Sequence, residues 1–340
     1  MKRMIALAMS AVMMLSLTAC AGGSEASSSA PEGSSAVAEE RAAVRVGGLK
    51  GPTAMGMVKL MEEDAAGTTA NDYEFTLAGS ADEINPLLIK GELDIAAVPT
   101  NVASVLYNKT EGQVEILALN TLGVLYVVEN GNTIQSVEDL RGKTIYSTGK
   151  GATPEYALNY ILGENGLTAG TDVTVEYKSE HSELASLLAA GQADLAVLPQ
   201  PFVTSVLAKN PDVRIALNLT EEWDKVTEDG SKLTMGALVV RKDFAESNPA
   251  AVRNFLKEYQ ASTQYVTDEA NLDDAAALIE QYGIISAAVA KQALPYCNIV
   301  CITGEEMRTA AEGFLSILAK ANPQSVGGTL PAEDFYYIGE

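Results

Sequence analysis

Histidine, cysteine, tryptophan and basic residues are scarce in this chain, and each shortage removes a class of function. Its 340 residues include one histidine, His181, and one tryptophan, Trp223. A single imidazole with no cysteine and carboxylate cluster around it supplies too few ligands for a zinc centre. A Ser/His/Asp arrangement would have to use His181, which reads as a surface or helix-start residue, and no nucleophile-elbow sequence accompanies it. The expectation is a protein that catalyses no reaction and carries no cofactor. Lysine and arginine number 23 against 45 acidic residues, a formal net charge of −22. Such a body repels phosphate backbones, and no basic stripe with interleaved aromatics offsets it, so nucleic acid is excluded as a partner. The surplus of acid favours a soluble monomer.

What is present begins with Lys2 and Arg3 ahead of an apolar run, Met4 to Leu17, that is too short for a permanent membrane span. Leu17-Thr18-Ala19-Cys20 follows and resembles a bacterial lipobox. The resemblance implies a signal peptide over 1–19, cleavage before Cys20, lipid on that cysteine, and residence on the extracytoplasmic face of a membrane. Residues 20–43, rich in Ser, Ala, Gly and Glu, read as a flexible tether spanning about 25 Å. The other cysteines, Cys297 and Cys301, fit either a disulfide across a tight loop or two separately buried thiols.

The body repeats itself at an offset of one hundred residues. Lys50-Gly51-Pro52-Thr53 returns as Lys150-Gly151-Ala152-Thr153, and Gly91, Asp94, Ala96 and Pro99 return as Gly191, Asp194, Ala196 and Pro199. Apolar runs bounded by such turns alternate with helical spacing, as at Val44–Leu49, Asp94–Val98, Thr144–Ser147 and Leu195–Leu198. The order predicts two α/β units, each with a mainly parallel sheet covered by helices. Leu122–Val128 and Met235–Val240 read as strands that cross between the units. Helices follow near Asn248, over Leu272–Tyr282 and over Glu305–Ala319, and complete the first unit. The lobes expected are 44–122 with 237–340, and 123–236.

Lipobox, tether, two lobes, two crossing strands and returning helices resemble bacterial solute-binding lipoproteins of ABC importers. Val46–Met61, Gly91–Thr100 and Val137–Thr148 are similar to the nitrate, sulfonate, taurine and thiamine-precursor group of type II periplasmic binding proteins. The resemblance implies a two-lobe α/β fold, a cleft that closes on a small solute, and a permease and ATPase as partners. A thiamine-precursor or other heterocycle binder, an enzyme on the same fold, and a surface sensor without a transporter remain alternatives. The first lacks an obvious aromatic set, since aromatics are 6% of the chain.

Ligands of open α/β sheets lie outside the carboxyl ends of the strands. That places the site at the loops Lys50–Met55, Val98–Asn101, Gly149–Pro154 and Leu198–Pro201. Gly51 and Gly151 admit close approach, and helix N-termini there could hold an anion. Thr53 and Thr153 either cap their own helices or contact the ligand with the same hydroxyl. Thr100, Asn101 and Gln200 supply groups that donate and accept. Met55 is the candidate soft wall, with Met57 in the core. Lys50 and Lys150 are counter-ion candidates, Pro99 and Pro199 are helix starters, and Trp223 either covers a ring or opens an exposed helix.

Overall fold

Short apolar runs closed by glycine or proline become strands in the computed structural model, which describes residues 41–227 and 231–339. The expected signal peptide, Cys20 and the tether up to residue 40 lie outside the described residues. Among the described residues the strands are β1 (Ala43–Leu49), β2 (Asp72–Ala78), β3 (Ile95–Pro99), β4 (Val114–Leu122), β5 (Leu125–Asn130) and β6 (Thr144–Thr148). They continue as β7 (Thr174–Lys178), β8 (Leu195–Pro199), β9 (Val213–Asn218), β10 (Thr234–Arg241) and β11 (Ile299–Ile302).

Two sheets result. The first has the order β11-β4-β10-β3-β1-β2 and the second β7-β6-β8-β5-β9. The repeat is visible in this topology: β2-β1-β3 in one lobe matches β7-β6-β8 in the other. Each sheet is mixed rather than mainly parallel, because β10 runs antiparallel to both β3 and β4, and β5 antiparallel to both β8 and β9. The strand expected across Leu122–Val128 is broken at Gly123 and Val124, where the chain leaves one sheet and enters the other.

Helices cover both sheets. The long helix Pro249–Thr267 lays Val252, Phe255 and Tyr259, all fully buried, against the first sheet. Its Ser262 hydroxyl donates to the Gly56 carbonyl (2.7 Å) and accepts from the Leu60 N–H (3.1 Å), which locks it to the helix Val58–Ala65. The helix Gly304–Ala321 presents Phe314 to Trp223 at 5.4 Å between ring centroids, with Tyr160 on the other contact at 4.9 Å. Trp223 is fully buried and donates its indole N–H to the Ser231 carbonyl (2.8 Å), so it is neither a lid over a ligand ring nor an exposed helix start. Cys297 and Cys301 are free thiols; Cys297 is fully buried, and burial raises Cys301 to about 11.

The repeated aspartates have different fates. Asp94 is 3% exposed and accepts from the Arg45 N–H (3.0 Å), Nε (2.9 Å) and Nη2 (2.6 Å), with Arg241 Nη1 at 3.5 Å. It therefore ties β1, β3 and β10 together at the base of the first sheet. Asp194 is exposed. Asp94→Ala should cost about 2–3 kcal/mol in urea unfolding, because two arginines lose their shared carboxylate. Asp194→Ala should stay within about 0.5 kcal/mol of the parent.

Candidate functional site

Leu49, Pro99 and Pro199 are the last residues of β1, β3 and β8, and all three line one cavity of about 70 Å³ between the lobes. The first lobe adds Lys50, Gly51, Pro52 and Thr53 from the turn after β1, Thr121 from β4 and Met235 from β10. The second lobe adds Val124 and Leu125 at the crossing, Pro154 and His181. A wider surface groove of about 520 Å³ runs past Tyr160, Glu164, Thr227, Ile317 and Lys320, but no strand ends in it. The strand-end cavity is the candidate site.

Of the expected residues, Lys50, Gly51 and Thr53 are brought to this cavity. Gly51 has φ +154°, and a Cβ there would lie 4.0 Å from the Phe202 ring of the opposite lobe. That distance would accommodate a Cβ, so glycine is favoured at 51 by its backbone φ, which L side chains rarely adopt. Gly236 on β10 is required for space instead, since a Cβ would lie 2.3 Å from Asn120 Oδ1 and 2.7 Å from Thr53 Cγ2. Any side chain there would push the Thr53 turn off the sheet.

The other expected residues stand behind the wall. Asn101 is fully buried and joins three segments. Its Oδ1 accepts from the Thr153 hydroxyl (3.0 Å), and its Nδ2 donates to the carbonyls of Gly151 (3.3 Å) and Ser325 (2.9 Å). Neither threonine caps its own helix. Thr153 binds across the lobes, and Thr53 Oγ1 donates back to the Leu49 carbonyl (3.0 Å). The Gly151 N–H, expected to be open to an anion, donates instead to the Glu155 carboxylate. Gln200 accepts from the Thr204 N–H (3.2 Å) and hydroxyl (2.8 Å). Thr100 is fully buried with its hydroxyl unpartnered. Met55 faces away from the cleft, fully buried beside Val58, Val266 and Ile279, because the one-turn helix Pro52–Met55 turns it toward the C-terminal helices. Lys150 lies 5.8 Å over the Tyr177 ring.

His181 is the residue that sequence reasoning passed over. It opens the helix His181–Ala189, as expected, but its ring lines the cavity. A signal existed: the hundred-residue offset sets it opposite Ala81, which also opens a strand-following helix. The ring packs on Phe202 (5.2 Å between centroids), and Nδ1 meets Thr148 Oγ1 at 2.6 Å. Thr148 is 1% exposed, and its hydroxyl has no other partner among the described residues. If the imidazole donated to it, the hydroxyl proton would be buried without an acceptor. The network therefore assigns the hydroxyl as donor to Nδ1, leaving Nε2–H as the donor directed elsewhere.

Burial lowers His181 from its usual value near 6.5 to about 4. An unfolded chain takes up a proton below pH 6.5 that the folded chain refuses until about pH 4. The neutral ring thus contributes stability above pH 6.5 that is lost on acidification through this window. His181→Gln should reduce the loss of unfolding free energy between neutral pH and pH 4 by up to about 3 kcal/mol, measured by urea titration.

No metal-holding cluster of histidine, cysteine and carboxylate occurs among the described residues, and none of their helices is long and apolar enough to cross a membrane. Solved structures of the same fold include an ABC transporter protein from Parabacteroides distasonis, 25% identical, covering 87% of this chain and 98% of that one, with a TM-score of 0.70. The alkanesulfonate-binding protein SsuA from Xanthomonas axonopodis pv. citri, bound to MOPS, is 17% identical over 86% of this chain and 96% of its own, at 0.65. The nitrate-binding protein NrtA from Synechocystis PCC 6803 is 13% identical over 84% of each chain, at 0.64. These last two likenesses show the type II periplasmic-binding fold alone. No curated protein sequence matches the chain. The profile of the phosphonate-type periplasmic substrate-binding proteins of ABC transporters matches residues 61–293, from the first helices through both lobes, and the chain belongs to that family.

Proposed function

We propose that this substrate-binding component is held on the extracytoplasmic face of the membrane by lipid on Cys20, as a monomer. In this reading it captures a small polar or anionic organic solute by lobe closure and hands it to its permease. The moving bodies are 44–122 with 237–340, and 123–236, hinged at the crossings around Gly123 and Gly236. One observation carries the reading: a cavity at the strand ends is lined from both lobes, and Asn101 bonds across the lobes beside it. Lobes that share a ligand surface and a polar contact have a closed state for a ligand to favour. Lipid attachment is supported by Leu17-Thr18-Ala19-Cys20 at the end of the apolar run.

A panel of sulfonates, phosphonates, nitrate, carboxylates, amides and thiamine precursors tests the binding role by thermal unfolding. A ligand at a hundred times its dissociation constant should add about 2.7 kcal/mol, and scattering should show a smaller radius of gyration on binding. Stabilisation by none of these classes would remove the reading. For the anchor, Cys20→Ser should move the chain from the membrane fraction to the soluble one in a bacterial host; retention of the variant in membranes would remove the lipid.

A further inference from the structure

Among the described residues, the lining of the strand-end cavity has one cation, Lys50, and no acidic residue. In a chain with 45 acidic residues against 23 basic ones, that reverses the general balance. The polar groups of the lining are mostly donors. The Gly51 and Thr53 N–H groups have no acceptor among the described residues, because the one-turn helix Pro52–Met55 begins there and its bonds to the Gly51 carbonyl are made by Ala54 and Met55. From the other lobe His181 brings Nε2–H. Its Nδ1 lone pair is taken by the Thr148 hydroxyl, so the ring donates into the cavity and accepts nothing there. Donors from both lobes, with an ammonium beside them, match the charged head of an organic oxoanion.

The rest of such a ligand meets a different wall. Leu49, Val124, Leu125 and Met235 are apolar, and the lining prolines carry no N–H. Two carboxylates adjoin lining residues in the sequence, and both are turned elsewhere. Glu155, beside Pro154, accepts from the Gly151 N–H. Glu180, beside His181, accepts from the Ser182 hydroxyl (3.0 Å) and lies against Gly79. No phenylalanine, tyrosine or tryptophan ring among the described residues lines the cavity, so it offers a cation no aromatic face. Thr53 and Thr121 keep hydroxyl lone pairs after donating to the Leu49 carbonyl (3.0 Å) and to Asn120 Oδ1 (3.3 Å). Neutral lone pairs replace only part of the water that an ammonium loses on burial, and Lys50 repels it.

We infer that the cleft sorts organic oxoanions by their tails: it accepts a short uncharged alkyl tail and rejects the same skeleton ending in an ammonium. This rests on the solute-binding reading above and specifies the half of the ligand that reading leaves open.

Two pairs of compounds, matched in number of non-hydrogen atoms, test this by titration calorimetry on the whole chain. They are 1-propylphosphonate with 2-aminoethylphosphonate, and 1-propanesulfonate with taurine. Within each pair the head is the same and a methyl stands in place of an ammonium. In whichever pair binds, the alkyl member should bind at least about tenfold more tightly, and the pair that binds identifies the head. Met235→Glu places a carboxylate in the apolar wall and should move the ratio of the two affinities at least about tenfold toward the aminated member. Leu49→Glu is the second variant; the ratio is read within one protein, so general weakening cancels, and the comparison on the parent chain needs neither. An aminated member that binds the parent as tightly as its alkyl partner overturns the inference, and so does an unchanged ratio in both folded variants. Either result leaves the solute-binding reading standing. Silence from both pairs with a response elsewhere in the wider panel above overturns the inference alone; silence across that panel removes the reading with it.

Discussion

One carboxamide, that of Asn101, sets the relation between the lobes. It is fully buried, and its groups meet the Thr153 hydroxyl, the Gly151 carbonyl and the Ser325 carbonyl. A buried amide left unmatched costs about 1–3 kcal/mol, so the three segments are held in register by one side chain that both donates and accepts. No other residue type of that size offers both functions in a plane. The helix Thr100–Lys109 carries Asn101 in its first turn, directly after Pro99. Cleft wall and interlobe contact are thus consecutive residues, and neither can shift without the other.

Around that contact the cleft is framed by repeated turns but finished by unequal side chains. Lys50 and Lys150 occupy equivalent positions, yet one lines the cavity and the other lies over Tyr177. Asp94 and Asp194 are equivalent, yet one joins two arginines and the other faces solvent. Duplicated geometry supplies a symmetric frame. The cavity lining is where that symmetry is broken, with His181 on one side and Thr53 and Thr121 on the other.

Much of the fold was legible in the sequence. Apolar runs ending at glycine or proline marked several strands within a residue, as at Thr144–Thr148 and Leu195–Pro199, whereas Val114–Leu122, Val213–Asn218 and Ile299–Ile302 were not read as strands. The direction of the three strands that run against their sheets, β5, β10 and β11, was not legible, because an apolar run such as Met235–Val240 reads alike in either direction. For the site, the turns were found but the side-chain directions were not. Met55 and Thr53 are two residues apart in one short helical turn, and only tertiary packing decides which faces the cleft. Donor and acceptor assignments were out of reach for the same reason. Whether a threonine hydroxyl serves its own backbone, the other lobe or a ligand depends on residues fifty or more positions away, as with Thr153 and Asn101.

The position of β10 bears on how the chain is completed as it is made. This strand lies between β3 and β4 in the first sheet, yet its residues, Thr234–Arg241, follow the whole second lobe. A chain emerging from its N-terminus can pair β2, β1 and β3, but β4 has no neighbour in that group until residue 241 has emerged. The second sheet needs nothing beyond Asn218. The lobe that starts first is therefore finished last, and its half-built edge stays open to water throughout the synthesis of the other.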